Sequence, residues 1–248
     1  MAARTSHHVV SQPRRWWRSL VDVVAARVDP HSAVGLWLTL DVLLFAGAAW
    51  GFGGLLEEVL DREGLVRWDI AVERWLRAHA SPAGDRIFRA ITVLGSPVPW
   101  IVVAAVALWL LWRRKGFLLV TLLAGAGGGK LLELALKATI QRRRPSEAAE
   151  LLSGGTFSFP SGHAMHATVC YALVAFVLAT ALRWPVRVRA RWYSAVGFVA
   201  LAVAFSRLYL GMHFPSDVIG GLVAGVAWVV LCMAAIRVAR SGERERKE

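Results

Sequence analysis

The chain has 248 residues, with 29 Lys and Arg against 17 Asp and Glu, and a formal net charge of +12. Its residues are 56% hydrophobic and its mean hydropathy is +0.50, above the roughly 45–50% apolar content of soluble domains. This excludes a disordered chain and disfavours a soluble enzyme. The positive excess does not indicate a nucleic-acid partner either, because the basic clusters lie between long apolar runs instead of on one soluble face.

Residues 1–32 are polar and basic and carry no secretory leader pattern. Within them, Arg14–Asp29 places Trp16, Trp17, Leu20, Val24 and Val28 near helical spacing, which fits an interfacial helix; an unstructured basic tail is the competing reading. Six apolar runs follow, each close to the length that crosses a bilayer. They are Ala33–Gly53, Pro97–Trp112, Gly116–Leu136, His163–Leu182, Trp192–Leu210 and Ser216–Ile236. The second is short and has Ile91–Gly95 to draw on. Leu55–Ala90, between the first and second runs, is amphipathic and is expected to pack over the membrane surface. Residues 237–248 form a charged tail. The expected class is therefore all-α: a polytopic membrane protein with six transmembrane helices, residues 33–236, and an amphipathic outer segment between helices one and two.

Charge sets the expected orientation. With the N-terminus in the cytoplasm, the tails, Arg113–Lys115 and the Arg183–Arg191 loop are all internal and hold 17 of the 29 Lys and Arg. Lys and Arg favour cytoplasmic loops. The loops after helices one, three and five then share the opposite side. Trp100, Trp112, Trp184 and Trp192 fall near span ends, as an interfacial aromatic belt requires. Cys170 and Cys232 lie inside apolar runs and read as small hydrophobes.

The polar residues of those outer loops are concentrated. One loop carries Lys137, Arg142-Arg143-Arg144-Pro145 and Phe159-Pro160-Ser161-Gly162-His163; the other carries Ser206-Arg207, His213 and Asp217. Several fixed cations on one side call for an anion, and guanidinium forks suit phosphate. Ser161-Gly162-His163 opens the fourth helix, where free N–H groups and the helix dipole make a phosphate seat. Ser161 is placed to cap, and Gly162 lets an oxyanion approach the backbone. His213 and Asp217 are four apart, so on a helix they share a face, and Asp217 can hold one ring nitrogen while the other acts as a nucleophile. His163 then serves as the acid that protonates the leaving oxygen and afterwards activates water. Lys137, Arg144 and Arg207 neutralise phosphoryl oxygens. His163, His213 and Asp217 are also a set of donors zinc accepts, although the surrounding cations oppose a metal ion.

Lys137-x6-Arg144-Pro145, Pro160-Ser161-Gly162-His163 and Ser206-Arg207-x5-His213-x3-Asp217 together resemble the three signature motifs of the type 2 phosphatidic acid phosphatase (PAP2) family, complete and in order. The resemblance covers roughly Ser81–Ile236. It implies an integral membrane lipid phosphatase that needs no metal or other cofactor. It implies His213 as nucleophile, His163 as acid and base, and Asp217 as orienting group, with Lys137, Arg144, Ser161, Gly162 and Arg207 holding the phosphate. Undecaprenyl diphosphate, phosphatidic acid and phosphatidylglycerol phosphate are the expected kinds of substrate; the expected partners are that lipid phosphate and the bilayer, with no nucleic acid. A lipid phosphotransferase using the same intermediate, and a non-enzymatic lipid-binding or transport protein, are the alternatives.

Other polar residues carry weaker expectations. Lys130, Glu133 and Lys137 share a helical stripe and are expected to pair. Asp41 should face the bundle. His166 reads as a core histidine, and Arg142 and Arg143 either steer anionic headgroups or are ordinary interfacial arginines. Gly125-x3-Gly129 and Gly221-x3-Gly225 permit close helix packing.

Overall fold

The computed structural model describes residues 33–61, 64–152 and 154–245; the expected interfacial helix at Arg14–Asp29 lies outside them. The described residues form α-helices, one 3₁₀ turn and no strand. The helices are α1 (Ala33–Asp61), α2 (Gly64–Ala78), α3 (Pro82–Thr92), α4 (Val98–Trp112), α5 (Gly116–Ile140), α6 (Glu147–Leu152), α7 (Gly162–Ala181), α8 (Val186–Tyr209) and α9 (Pro215–Glu245). Among the described residues six stretches are long and apolar enough to cross a membrane, and the protein is an integral membrane protein. Five of them correspond to α1, α5, α7, α8 and α9. The other, Pro82–Trp112, joins α3, the 3₁₀ turn Val93–Gly95 and α4, so the short second run does draw on Ile91–Gly95.

The helix ends follow local chemistry. Ser81 caps α3 by accepting from the Gly84 amide at 3.1 Å, with Pro82 in the first turn. α5 closes on Gln141 in the left-handed region, whose N–H donates to the Lys137 carbonyl. α9 starts on Pro215, which has no amide proton to leave unpaired, and carries Asp217 in its first turn. α1 runs two turns beyond the expected Gly53, so the outer segment is split between the end of α1, α2 and α3.

α7 is the centre of the bundle and touches α4, α5, α8 and α9. Met165, Cys170, Leu173 and Val177 on it are buried against Leu110, Leu118 and Leu122 of α4 and α5. Both glycine stripes face this helix. A Cβ at Gly125 would meet Leu173, one at Gly129 would meet Val169, and one at Gly225 would meet Thr168. Gly221 is tighter: its Cβ would lie 2.5 Å from the Ser161 carbonyl oxygen. α1 packs against α9, where buried Asp41 meets Arg237, the partner that spacing alone did not supply. The outward faces are apolar, including Leu43, Leu44, Trp50, Leu108 and Phe198. In water so much exposed apolar surface would drive association; in a bilayer it is the solvated face.

Two hydrogen bonds to Tyr209 help fasten the outer segment to the bundle, and a third bond holds the 3₁₀ turn. The Ser81 amide donates to the Tyr209 hydroxyl at 2.9 Å, and Arg77 donates to the Tyr209 carbonyl at 3.3 Å. Tyr171 of α7 donates to the Leu94 carbonyl at 2.8 Å and holds the 3₁₀ turn.

Gly221→Ala forces a methyl group onto rigid backbone, so it should destabilise the protein by about 1–3 kcal/mol. Gly127→Ala enters open space and should be neutral or stabilising by up to about 1 kcal/mol. Thermal unfolding of both variants in detergent checks the contrast.

Candidate active site

The loops at one end of α5, α7, α8 and α9 enclose a cavity of about 440 Å³. Lys137, Arg144, Gly162, His163, Arg207 and His213, far apart in sequence, all line it. The two remaining residues expected at the site, Ser161 and Asp217, are fully buried behind it.

His213 is 1% exposed. Its Nε2 lies 3.2 Å from Arg144 Nη1 and its Nδ1 lies 3.5 Å from Asp217 Oδ2. A guanidinium offers only donors, so Nε2 must be the accepting nitrogen and the ring proton sits on Nδ1. That proton faces a carboxylate at a distance longer than a normal hydrogen bond yet well within electrostatic reach. The nitrogen turned to the cavity therefore carries a lone pair. Burial pushes the His213 imidazole down to about 4; Arg144 and Arg207 push the same way and Asp217 opposes them. The ring is neutral near pH 7.

Arg144 is held by the Thr156 carbonyl at 2.9 Å, the Met212 carbonyl at 2.8 Å and the Thr156 hydroxyl at 3.0 Å. These acceptors are neutral, so its charge stays available to the cavity; burial lowers its proton affinity from the ordinary guanidinium value. Arg207 is anchored by one donor, Nη1 to the Thr92 hydroxyl at 3.0 Å, while its buried Nε has no partner. Lys137 pairs with Glu133 at 2.9 Å. Glu133 also accepts from Lys130 at 2.6 Å and lies 3.0 Å from His166 Nε2. The expected pairing on this stripe exists, and it recruits His166, which is buried yet lines the cavity.

Local structure at the start of α7 differs from expectation in two respects. Ser161 is the N-cap residue, but its hydroxyl makes no capping bond and is buried without a partner. Gly162 is tightly enclosed: a Cβ there would land on Glu133 Oε1. The missing side chain is needed first by a neighbouring carboxylate of α5.

Two residues outside the expected set join the site. Arg142 donates to Asp217 Oδ1 at 2.7 Å and to Asp69 Oδ2 at 2.7 Å. It is neither a free headgroup-steering charge nor a solvated interfacial arginine. Asp69 of α2 is fully buried. Arg142 sits in an arginine run that gave a signal; Asp69 sits in the amphipathic Trp68-Asp69-Ile70, where nothing distinguishes it from a surface acid. Among the described residues no group of three His, Cys, Asp or Glu comes together.

The fold and the cavity define an integral membrane protein that encloses a cavity lined by basic residues and histidines. The PAP2 superfamily profile matches residues 116–241, and the chain belongs to that superfamily. It is 34% identical over 161 residues to phosphatidylglycerophosphatase B of Bacillus subtilis, covering 64% of this chain and 78% of the relative. It is 32% identical over 133 residues to decaprenylphosphoryl-5-phosphoribose phosphatase of Mycobacterium tuberculosis, covering 52% and 66%. The crystal structure of the transmembrane PAP2 type phosphatidylglycerolphosphate phosphatase from Bacillus subtilis is similar with a TM-score of 0.69 and 28% identity, over 76% of this chain and 94% of that one. The protein is thus a membrane PAP2 lipid phosphatase, a hydrolase of phosphoric esters.

The depressed His213 affinity has a stability consequence. The unfolded imidazole titrates at its ordinary 6.5 and the folded one at about 4. Between these values the unfolded chain binds the extra proton, so the folded state loses stability as pH falls. The Tm of the native protein should fall relative to His213→Gln as pH drops from about 6.5 towards 4, and then run parallel. Thermal scans of the two proteins across that range check it.

Proposed function

We propose that the protein hydrolyses a lipid phosphomonoester or diphosphate through a phosphohistidine on His213, at an extracytoplasmic site. The observation that carries this reading is the orientation of His213: a lone pair at Nε2 against Arg144, with Nδ1–H towards buried Asp217. In the first step Nε2 attacks phosphorus, the P–N bond forms, and the bond to the lipid oxygen breaks. His163, protonated when the anionic phosphate lies beside it, gives its proton to that oxygen and is left neutral. The phosphorylated imidazole is cationic, because Nδ1 keeps its proton, and Asp217 lies beside that charge. In the second step His163 takes a proton from water, the hydroxyl oxygen attacks phosphorus, the P–N bond breaks, and inorganic phosphate leaves. Lys137, Arg144 and Arg207 bind the phosphoryl oxygens, where charge accumulates. The amides opening α7 and the unpartnered Ser161 hydroxyl supply further donors.

The cavity of about 440 Å³ admits a phosphate headgroup, while the apolar outer faces of the helices leave the lipid tail in the bilayer. Phosphatidylglycerol phosphate leads the candidates because the similar Bacillus subtilis sequence and the similar Bacillus subtilis structure are both named for it; phosphatidic acid and undecaprenyl diphosphate follow. The extracytoplasmic assignment rests on charge. Arg113–Lys115 and Arg183–Arg191 lie at the helix ends opposite the cavity, and basic loops favour the cytoplasm. Both termini are then cytoplasmic as well.

Purified protein should release inorganic phosphate from a panel of these three lipids, and should do so equally in EDTA. His213→Ala should lower kcat by about 10³-fold or more, the scale of losing a catalytic nucleophile. Label passing to another lipid with no free phosphate would instead establish a phosphotransferase, and unchanged turnover in His213→Ala and His163→Ala would remove the catalytic assignment.

For topology, exposed Arg143 replaced by cysteine should react with an impermeant thiol reagent from outside the cell. Labelling confined to the cytoplasmic face reverses the orientation.

A further inference from the structure

Asp69 belongs to none of the signature motifs, yet it is the far end of a buried chain of charges that reaches the catalytic pair. Its Oδ1 accepts from the Ser216 amide at 2.9 Å. Its Oδ2 accepts from the Ser216 hydroxyl and, at 2.7 Å, from Arg142 Nη2. The other arm of the same guanidinium, Nη1, donates to Ser216 Oγ at 2.6 Å and to Asp217 Oδ1 at 2.7 Å. Arg142 also lies with its guanidinium carbon 4.6 Å from the centre of the Phe214 ring. The remaining oxygen of Asp217, Oδ2, accepts from the Phe214 amide at 2.9 Å and faces His213 Nδ1 at 3.5 Å. Asp69, Ser216 and Asp217 are all fully buried.

This arrangement is more than an anchor for α2. A lone Arg142–Asp217 pair would be formally neutral and would leave Asp217 little attraction for a cationic imidazole. With Asp69 drawing on the same guanidinium, the triad carries one net negative charge, and both of its carboxylates are fully buried. The group next in line to answer that charge is His213. Its ring becomes cationic only while phosphorylated, so the surplus is worth most on the reaction path and least in the resting state. Asp69 also fixes the first turn of α9 through the Ser216 amide, and so fixes the direction in which Asp217 points.

We propose that Asp69 is a positioning residue for the His213–Asp217 pair, acting through Arg142, so that the amphipathic segment between the first two spans is a working part of the active site. The proposal rests on the reading of His213 as nucleophile. It makes α2 an element whose docking completes the catalytic electrostatics, and it assigns the arginine two residues before Arg144 to the nucleophile's support instead of to the substrate.

The test uses the full-length protein in detergent and the lipid of the panel that it turns over fastest. Asp69→Asn keeps the side-chain size and removes the charge. It should lower kcat by about 10- to 100-fold, the size of one charge-assisted hydrogen bond, with KM changed by less than about twofold. Arg142→Lys keeps a charge but cannot span both carboxylates, and should show the same split, which covers the case in which Asp69→Asn does not fold. In an Asp217→Asn background the Asp69→Asn substitution should cause little further loss, because its route to His213 is already cut. An anchor alone predicts a lower Tm with kcat restored on cooling, or an undiminished loss in the Asp217→Asn background; either result overturns the proposal.

Histidine nitrogen NMR supplies a readout that needs no turnover. His213 should hold its proton on Nδ1 in the native protein and lose that preference in Asp69→Asn and Arg142→Lys. If no lipid is hydrolysed but the tautomer responds, the phosphatase mechanism fails and the coupling stands. If His213→Ala abolishes activity while neither kcat nor the tautomer responds to the Asp69 and Arg142 variants, the coupling fails and the mechanism stands.

Discussion

Asp217 has no exposed surface, and a carboxylate removed from water persists as an ion only where its charge is answered. Here both oxygens are engaged: Oδ1 by Arg142, and Oδ2 by the Phe214 amide beside His213. Satisfying them requires the loop after α5, the start of α9 and the capping segment α2 to meet at one point. The Asp217 carbonyl in turn accepts from the Ser161 amide at 2.8 Å, which ties the start of α9 to the start of α7. The position of the cavity follows from these requirements, since the loop that answers Asp217 also supplies Arg144, and the helix start tied to α9 supplies His163.

The same accounting explains how a bundle with lipid on its outside tolerates so many charges within. Each buried acid has a named cation. Asp41 has Arg237, Asp69 and Asp217 share Arg142, and Glu133 takes Lys130 and Lys137 with His166 alongside. Among the described residues, the guanidinium groups at the cavity without an acid in direct contact are Arg144, held by neutral acceptors, and Arg207, with one hydroxyl partner and a free Nε. A site for a phosphate-bearing anion is built from cations whose charge the protein has not already neutralised, and these two meet that description.

Glycine is used for proximity in this fold. Gly162 makes room for the Glu133 carboxylate behind the first turn of α7, and Gly221 lets α9 approach the Ser161 carbonyl. Both lie within a turn of the residues proposed to act, so the close approach that packs the bundle also sets the distances in the site. The sequence alone points Gly162 at the ligand; the carboxylate that occupies its open side, Glu133, lies 29 residues earlier, and no local pattern reveals that.

Six apolar runs, their order and the motifs between them were decided in the sequence, because span length and cation chemistry act locally and leave a local mark. The same is true of six of the residues that line the cavity, which parity placed on one side of the membrane before any contact was known. The roles of Asp69 and Arg142 left no such mark. Asp69 is 148 positions from Asp217 in the chain, and an acid in an amphipathic stretch looks the same whether it meets water or an arginine. Only the tertiary structure buries it, turns Arg142 between two carboxylates, and fixes the ring proton of His213, since each of these depends on which groups exclude water around a charge.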